Sequence, residues 1–553
     1  MTLFDTTIGN PLSGITETAK NSPYKRAVVC PESGNRDGRL AYTHLTFRQL
    51  DQESDCIAAG LAKAGIVRGT RTILALRPCL DFFSLSAALL KIGAIPVFVD
   101  PGMGINPMLQ CIRDTRPEAF IGMPWTRFLK FLRPGFLKGL KIFITVGKRL
   151  LWGGLTMEDI RKIPWISQPP VSPQPDDTAA ILFTPGNTGP VKGVVQTHGN
   201  LAARIRLIKD RFDIAPDEID LMTVPAFAFF GPALGLTSVI PDMDPAHPAL
   251  VRPENIIQII IDQGVTNLFA SPALLDRVGQ HARNYKITFP SLKRVISMGA
   301  PLSAVCMERF AKTLPPAAEL HVSYGALEAM PVMSIGSAEI LSETKELSVK
   351  GYGECIGRPV SGEMDVRLIP ITDDPVDGLP DDLPFPQGEI GELIVKGGPV
   401  SGSYLENPDL NTLQKIRENN DTWHRMGDLG WMDKNNRFWF CGRKSHRVIT
   451  EKGTLYPIPC EAIFNAHPDV CRSALVGIGP PENKTPVLCV ELEQSDALDQ
   501  KRIETELLML AEQNVITQGI TTILFHKQLP MDTRHQAKIN REELAIWAEK
   551  QRK

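Results

Sequence analysis

Through the first two hundred residues, apolar positions fall into two alternating patterns. Leu50, Ile57 and Leu61 recur at helical spacing behind Thr46 and Gln49, which have the separation of a capping box, and Gly65 supplies a stop. The apolar run Thr72 to Leu76 predicts a strand. Phe82, Leu85, Leu89 and Leu90 mark a second helix, and Val97 to Val99 a second strand, closed by Asp100-Pro101. Buried strands separated by helices predict parallel sheet in an α/β architecture. Leu221–Val224, Asn267–Phe269 and Val295–Ser297 continue the rhythm. After residue 445 the pattern changes: strand-like Ala474–Ile478 and Val487–Leu492 flank a helical run at Ile503–Leu510, which predicts a smaller α+β domain at the C-terminus.

Four stretches need separate readings. Pro164, Pro169, Pro170, Pro173 and Pro175 form one proline-rich run; Pro370, Pro375, Pro380, Pro384 and Pro386 form another, interleaved with Asp. Both read as exposed connections and candidate boundaries. Leu221 to Pro241 carries no charge and has the length of a membrane span, but Pro225, Gly231, Pro232, Gly235 and Pro241 would break such a helix. It reads as buried strand and helix, able to wall an apolar pocket. Between Glu118 and Glu158, Arg127, Lys130, Arg133, Lys138, Lys141, Lys148 and Arg149 are interleaved with Phe128, Leu129, Phe131, Leu132, Phe136 and Leu137. That density suits docking on an anionic membrane or a multi-enzyme assembly through 125–150. A solvated basic face over core leucines is the preferred reading, because Pro134 and Gly135 interrupt any long amphipathic helix.

Composition narrows the class. The 553 residues exceed a single core of about 250–300 residues, so two or more domains are expected. With 43% apolar and 22% charged residues, the chain is neither wholly disordered nor a polytopic membrane protein. A net charge of −2 gives no reason to expect a nucleic-acid partner. None of the ten cysteines forms a Cys-x-x-Cys pair, so they read as buried thiols rather than a zinc site or a disulfide framework. No signal-peptide pattern opens the chain, and cytoplasmic residence, at most peripheral to the inner membrane, is the expectation.

Candidate chemistry concentrates at Ala179–Asn200. An apolar strand runs into Thr184-Pro185-Gly186-Asn187-Thr188-Gly189-Pro190-Val191-Lys192-Gly193. Glycines let backbone N–H groups approach a polyphosphate, Thr184 and Thr188 offer hydroxyls, and Lys192 offers charge. The spacing is not that of a Walker A loop. Downstream stand Ser323-Tyr324-Gly325-Ala326-Leu327-Glu328, Trp423-His424-Arg425-Met426-Gly427-Asp428, Gly442-Arg443-Lys444-Ser445-His446 and Gln536-Ala537-Lys538-Ile539. In this order the set resembles the adenylate-forming superfamily, which includes acyl-CoA ligases, luciferase-type enzymes and peptide-synthetase adenylation domains.

The resemblance implies a large adenylation domain over 1–441 with parallel sheets and a β subdomain, a hinge at 442–447 and a small mobile α+β domain over 448–553. It implies ATP and Mg²⁺ as cofactors, with coenzyme A only in a ligase. Thr184, Gly186, Asn187, Thr188, Gly189 and Lys192 would hold the phosphates. Gly299, Ala300, Pro301, Tyr324 and Gly325 would border adenine, Asp428 would accept from the ribose hydroxyls, and Arg443 would lie on the ribose-phosphate side. Glu328 would bind Mg²⁺ and Lys538 would stabilise charge at the attacked phosphorus. Pro185, Asn187 and Leu327 depart from the family pattern and remove hydroxyl donors. Ala228 stands where many acyl-CoA ligases carry His, and His446 where Asp is usual. Phe230–Pro245, Gly442–Val448 and Asp532–Ile539 resemble the branch that closes β-lactones from 2-alkyl-3-hydroxy fatty acids in bacterial olefin biosynthesis. A fatty acyl-CoA ligase and a non-catalytic nucleotide- or lipid-binding member are the alternatives. His198 and His446 are candidate bases for the 3-hydroxyl, with a core or surface role the preferred reading of each.

Overall fold

A computed structural model describes residues 10–32, 40–99, 103–124, 126, 139–148, 154–163, 173–184, 191–224, 228–379, 385–418, 421–493, 499–532 and 538–552. Both halves of the expected capping box form: the Thr46 hydroxyl accepts from the Gln49 amide and starts the helix Phe47–Lys63, whose Leu50, Ile57 and Leu61 are buried. The next elements alternate as the pattern requires, with strand Arg71–Ala75, helix Leu80–Lys91 and strand Ile95–Val99.

Two large sheets result. In one, Thr178–Thr184, Ile95–Val99, Arg71–Ala75, Ala119–Gly122, Ile142–Thr145 and Leu155–Thr156 run parallel. Lys192–Thr197 and Ser403–Tyr404 add antiparallel strands beyond Thr178–Thr184. In the other, Arg26–Glu32, Thr237–Val239, Ile219–Met222, Asn267–Ala270, Arg294–Met298 and Glu319–Ala326 run parallel. That sheet then turns antiparallel through Ala329–Gly336, Glu354–Pro359, Phe438–Arg443, Asp421–Met432, Gly391–Lys396 and Asp365–Ile369. One apolar cluster joins the two sheets, with Phe83, Leu85 and Leu89 packed in the same core as Phe269, Ile296 and Met298. A second, including Ile256, Leu274 and Phe310, backs the parallel strands.

The C-terminal part has its own core. Strands Val470–Ile478, Thr485–Leu492 and Ile523–Phe525 form a small sheet. Alternate residues serve opposite faces: Leu475 and Leu488 pack with Phe464 and Leu507, whereas Val476 and Val487 pack with Leu544. Gly351 presses the segment before strand Glu354–Pro359 onto this part. Its φ is +85°, and a Cβ there would lie 2.5 Å from Ile516 Cδ1.

One expectation changes in detail. The second proline-rich run is a connection between antiparallel strands Asp365–Ile369 and Gly391–Lys396, so it lies inside a sheet and is not a boundary. Its described part is gripped by cations: Arg425 donates to the carbonyls of Thr372 (2.6 Å) and Asp374 (2.7 Å), and Lys444 to that of Thr372 (2.6 Å). Sequence reading missed this because these bonds go to backbone carbonyls. In the uncharged stretch, Leu221 and Met222 end a buried strand, Phe230–Ala233 is a helical turn and Thr237–Val239 a buried strand. Among the described residues no helix is long and apolar enough to cross a membrane. All ten cysteines are free. Most of the basic stretch 125–150 lies outside the described residues.

Candidate active site

The C-terminal edge of the parallel strands gathers the candidate residues. Strand Arg294–Met298 ends at Gly299, whose φ of +91° turns the chain into Ala300 and Pro301. Strand Glu319–Ala326 carries Tyr324 and a bulge at Gly325; a Cβ on Gly325 would meet the Ala329 carbonyl at 2.6 Å. A two-residue turn, Leu327-Glu328, leads into strand Ala329–Gly336. Asp428 and Arg443 are cross-strand partners in the antiparallel half of the sheet.

These strands bring Tyr324, Asp428 and Arg443 together. The Tyr324 phenol donates to Asp428 Oδ2. Arg443 Nε lies 3.1 Å from Asp428 Oδ1, but without hydrogen-bond geometry, so Oδ1 is a buried acceptor with no hydrogen-bonded partner. Arg443 Nη1 is instead engaged by the Met426 carbonyl at 2.9 Å. Burial raises the Asp428 pKa, against the opposing pull of Arg443, Tyr324 and Lys538. An open acceptor on a buried carboxylate suits a ribose hydroxyl, which brings its own donor.

Lys538 comes from the C-terminal part. The amide of Lys538 donates to Asp532 Oδ1 (3.1 Å) and its carbonyl accepts from the Asp532 amide (2.8 Å). Its charge is among those that oppose the rise in the Asp428 pKa.

The Leu327-Glu328 turn is held by four residues. Arg204, buried in helix His198–Arg211, donates to the Leu327 carbonyl at 2.6 Å, and Gln196 donates to the same oxygen at 3.0 Å. The Ser401 amide donates to the Glu328 carbonyl at 2.7 Å. The Tyr404 hydroxyl lies 2.9 Å from Glu328 Oε1 and 2.5 Å from Gln414 Oε1; its single proton serves one of them at a time. Lys415 donates to the carbonyl (2.5 Å) and hydroxyl (3.1 Å) of Ser401 and sits 5.2 Å from the Tyr404 ring centroid. Burial lowers the Lys415 pKa to about 7, with Glu328 pulling the other way. Lys192 lies 5.8 Å from the same ring; burial lowers its pKa too, with Glu328 again opposing. Arg204, Gln196, Ser401, Tyr404 and Lys415 escaped sequence reading because none belongs to a phosphate-loop or nucleotide pattern. Lys415 stands among polar neighbours, Gln414, Arg417 and Glu418, so nothing in the sequence marks it as buried.

Thr184 pairs with Lys192 across strands Thr178–Thr184 and Lys192–Thr197. Gly186, Asn187, Thr188 and Gly189 lie outside the described residues. His198 is buried, neither ring nitrogen has a hydrogen-bond partner, and burial lowers its pKa to about 4. Burial and the charges of Arg541, Arg443 and Lys484 lower that of His446 to about 3. Burial therefore favours the neutral imidazole at both positions. The Ala228 side chain is buried.

The model of the AMP-binding enzyme family matches residues 15–405. The chain belongs to that family. It is 40% identical over 99% of its length, and 99% of the relative's, to the olefin beta-lactone synthetase of Xanthomonas campestris pv. campestris. ATP-bound MatB from Rhodopseudomonas palustris superposes with a TM-score of 0.78 at 20% identity, covering 99% of this chain and 100% of that one. The O-succinylbenzoate coenzyme A synthetase of Bacillus subtilis, in complex with ATP and magnesium ion, superposes with a TM-score of 0.73 at 18% identity over 96% of this chain and 98% of that one. Family membership makes the protein an adenylate-forming enzyme and accounts for its α/β body with a smaller C-terminal domain.

Proposed function

We propose that this enzyme joins the carboxylate of a long-chain 2-alkyl-3-hydroxy fatty acid to the α-phosphorus of ATP and then closes a β-lactone. In the first step a carboxylate oxygen bonds to phosphorus and the bond to the β-phosphate breaks, releasing pyrophosphate. In the second, the substrate's 3-hydroxyl oxygen bonds to the acyl carbon, the bond to AMP breaks and the hydroxyl proton is lost. The observation that carries the reading is the end-to-end likeness to a protein named olefin beta-lactone synthetase. Nucleotide chemistry is supported by the buried acceptor on Asp428 beside Tyr324, Arg443 and the charge of Lys538.

Asp428 Oδ1 would take a ribose hydroxyl, Tyr324 and Gly299–Pro301 would flank adenine, and Lys192 with Thr184 and 186–189 would hold phosphate. Lys538 would sit against the charge that develops on the α-phosphate. A single carboxylate, Glu328, fits Mg²⁺, which takes most of its oxygens from phosphate and water. The ion would neutralise phosphate charge. A tethered hydroxyl has a high effective concentration, which offsets part of the ring strain.

The test is ATP, Mg²⁺ and a 2-alkyl-3-hydroxyalkanoate without coenzyme A, with products read by NMR. A β-lactone is expected. A thioester formed only when coenzyme A is added would make the protein a fatty acyl-CoA ligase instead. No AMP release under either condition would make it a binding protein. For the basic apolar stretch 125–150, peripheral contact with an anionic membrane is the alternative to a solvated basic face. Co-sedimentation with anionic liposomes that is lost on charge reversal would favour the contact, and no co-sedimentation ends it.

A further inference from the structure

Asp220 is a buried acid that the proposed nucleotide chemistry does not use. It lies in strand Ile219–Met222 with no exposed surface. Its Oδ2 is 3.4 Å from the Ser238 hydroxyl, and its Oδ1 has no hydrogen-bond partner. Burial pushes its pKa up to about 8, so it is a neutral carboxylic acid at physiological pH.

Asp220 lines a cavity whose other walls are apolar, among them Met222, Phe230, Leu236, Phe269 and Met298. Free space there admits the centre of a water-sized group over about 10 Å³, enough for one water. Met298 is the residue before Gly299, at the edge where the reacting carboxylate would lie. The register fixes the depth: Asp220 pairs with Asn267, Asn267 pairs with Arg294, and Met298 lies four residues beyond Arg294. Four residues of strand span about 13 Å. A zigzag alkyl chain of 1.5 Å bonds advances roughly 1.25 Å per carbon, so about ten carbons cover that depth. Methionine and phenylalanine side chains along the way can re-pack around a chain.

We propose that Asp220 is the polar floor of the alkyl pocket and sets the length of the hydrocarbon arm that the enzyme accepts. This deepens the β-lactone reading and rests on it. An arm that stops short of the floor leaves room beside Asp220 for one water. A longer arm fills that room and seals the acid, whose Oδ1 has no hydrogen-bond partner, against hydrocarbon, which opposes the gain from further methylenes.

The test measures binding of non-hydrolysable acyl-sulfamoyl-adenosines with straight arms of about six to sixteen carbons to the full-length protein. In the wild type, affinity should rise up to about fourfold per methylene to near ten carbons and then fall. Asp220→Val should carry the rise to longer arms, and Asp220→Asn should keep the wild-type limit. A wild-type profile that climbs through sixteen carbons, or an Asp220→Val profile identical to the wild type, would overturn the proposal. The wild-type profile decides the matter alone if the valine variant does not fold. Binding does not depend on which product forms, so a failed lactone assay leaves this result standing, whereas no binding of any analogue overturns both readings.

Discussion

The phenol of Tyr324 and the carboxylate of Asp428, 104 residues apart in sequence, meet in a hydrogen bond that ties the parallel half of the large sheet to its antiparallel half. Two roles can therefore be separated by substitution. Asp428→Asn replaces an acceptor-only group and should lower kcat/KM for ATP by about 10²-fold, in the range of one charge-assisted bond pair. Tyr324→Phe keeps the ring and loses one bond, and should cost about fivefold to tenfold. Steady-state pyrophosphate release measures both.

Lys538→Ala should lower the rate of adenylate formation by about 10²–10³-fold with little change in ATP affinity, the pattern for a group that acts on transition-state charge. Single-turnover AMP formation alongside ATP titration checks this. Equal losses in both would argue against the role.

Lys415 supports Glu328 through Ser401 and Tyr404. Lys415→Met should raise KM for ATP·Mg²⁺ about tenfold and cost about 1–3 kcal/mol of stability, since the buried Ser401 carbonyl loses this donor. Calorimetric titration of ATP with and without Mg²⁺ should show that the affinity gained from the ion shrinks in the variant.

Asp220 gives a pH signature. Its folded pKa of about 8 lies above the ordinary value near 3.8, so between these limits the unfolded chain releases the proton first. Wild-type stability therefore falls as pH rises through that window, at a slope of up to about 1.4 kcal/mol per pH unit. Asp220→Asn has no such proton. Its melting temperature relative to wild type should climb from pH 4 to pH 8 and level off above; a constant difference would mean that the acid does not titrate there.

Arg425 and Glu392 are almost completely buried and pair at 2.6 Å. Glu392→Leu leaves the guanidinium without its carboxylate and should cost about 3–5 kcal/mol of stability, read by denaturant unfolding.

The α/β rhythm was legible because helix and strand periods differ and the buried faces are strongly apolar: Leu50, Ile57 and Leu61 declared one helix, and the capping box at Thr46 fixed its start. Sequence motifs named Tyr324, Glu328, Asp428 and Arg443, and the fold places three of them in contact. The bracing of Glu328 was not legible. Arg204 and Gln196 reach a backbone carbonyl more than 120 residues away, and a carbonyl carries no residue identity for a pattern to register. Asp220 was equally silent, since an acid that follows Asp217 and Glu218 looks like the polar start of a strand until its depth is known.

The cations on either side of Ser445 are anchored unequally. Lys444 reaches the buried Glu392 at 3.0 Å, whereas Arg447 pairs with Asp373, whose side chain is 69% exposed. Water and salt compete for the second contact and hardly reach the first. Should the C-terminal part turn about Ser445, the pivot would stay pinned upstream and let go downstream, and the ease of that release would follow ionic strength. Turnover limited by the rotation would then quicken as salt is added, until competition for the nucleotide phosphates reversed the trend.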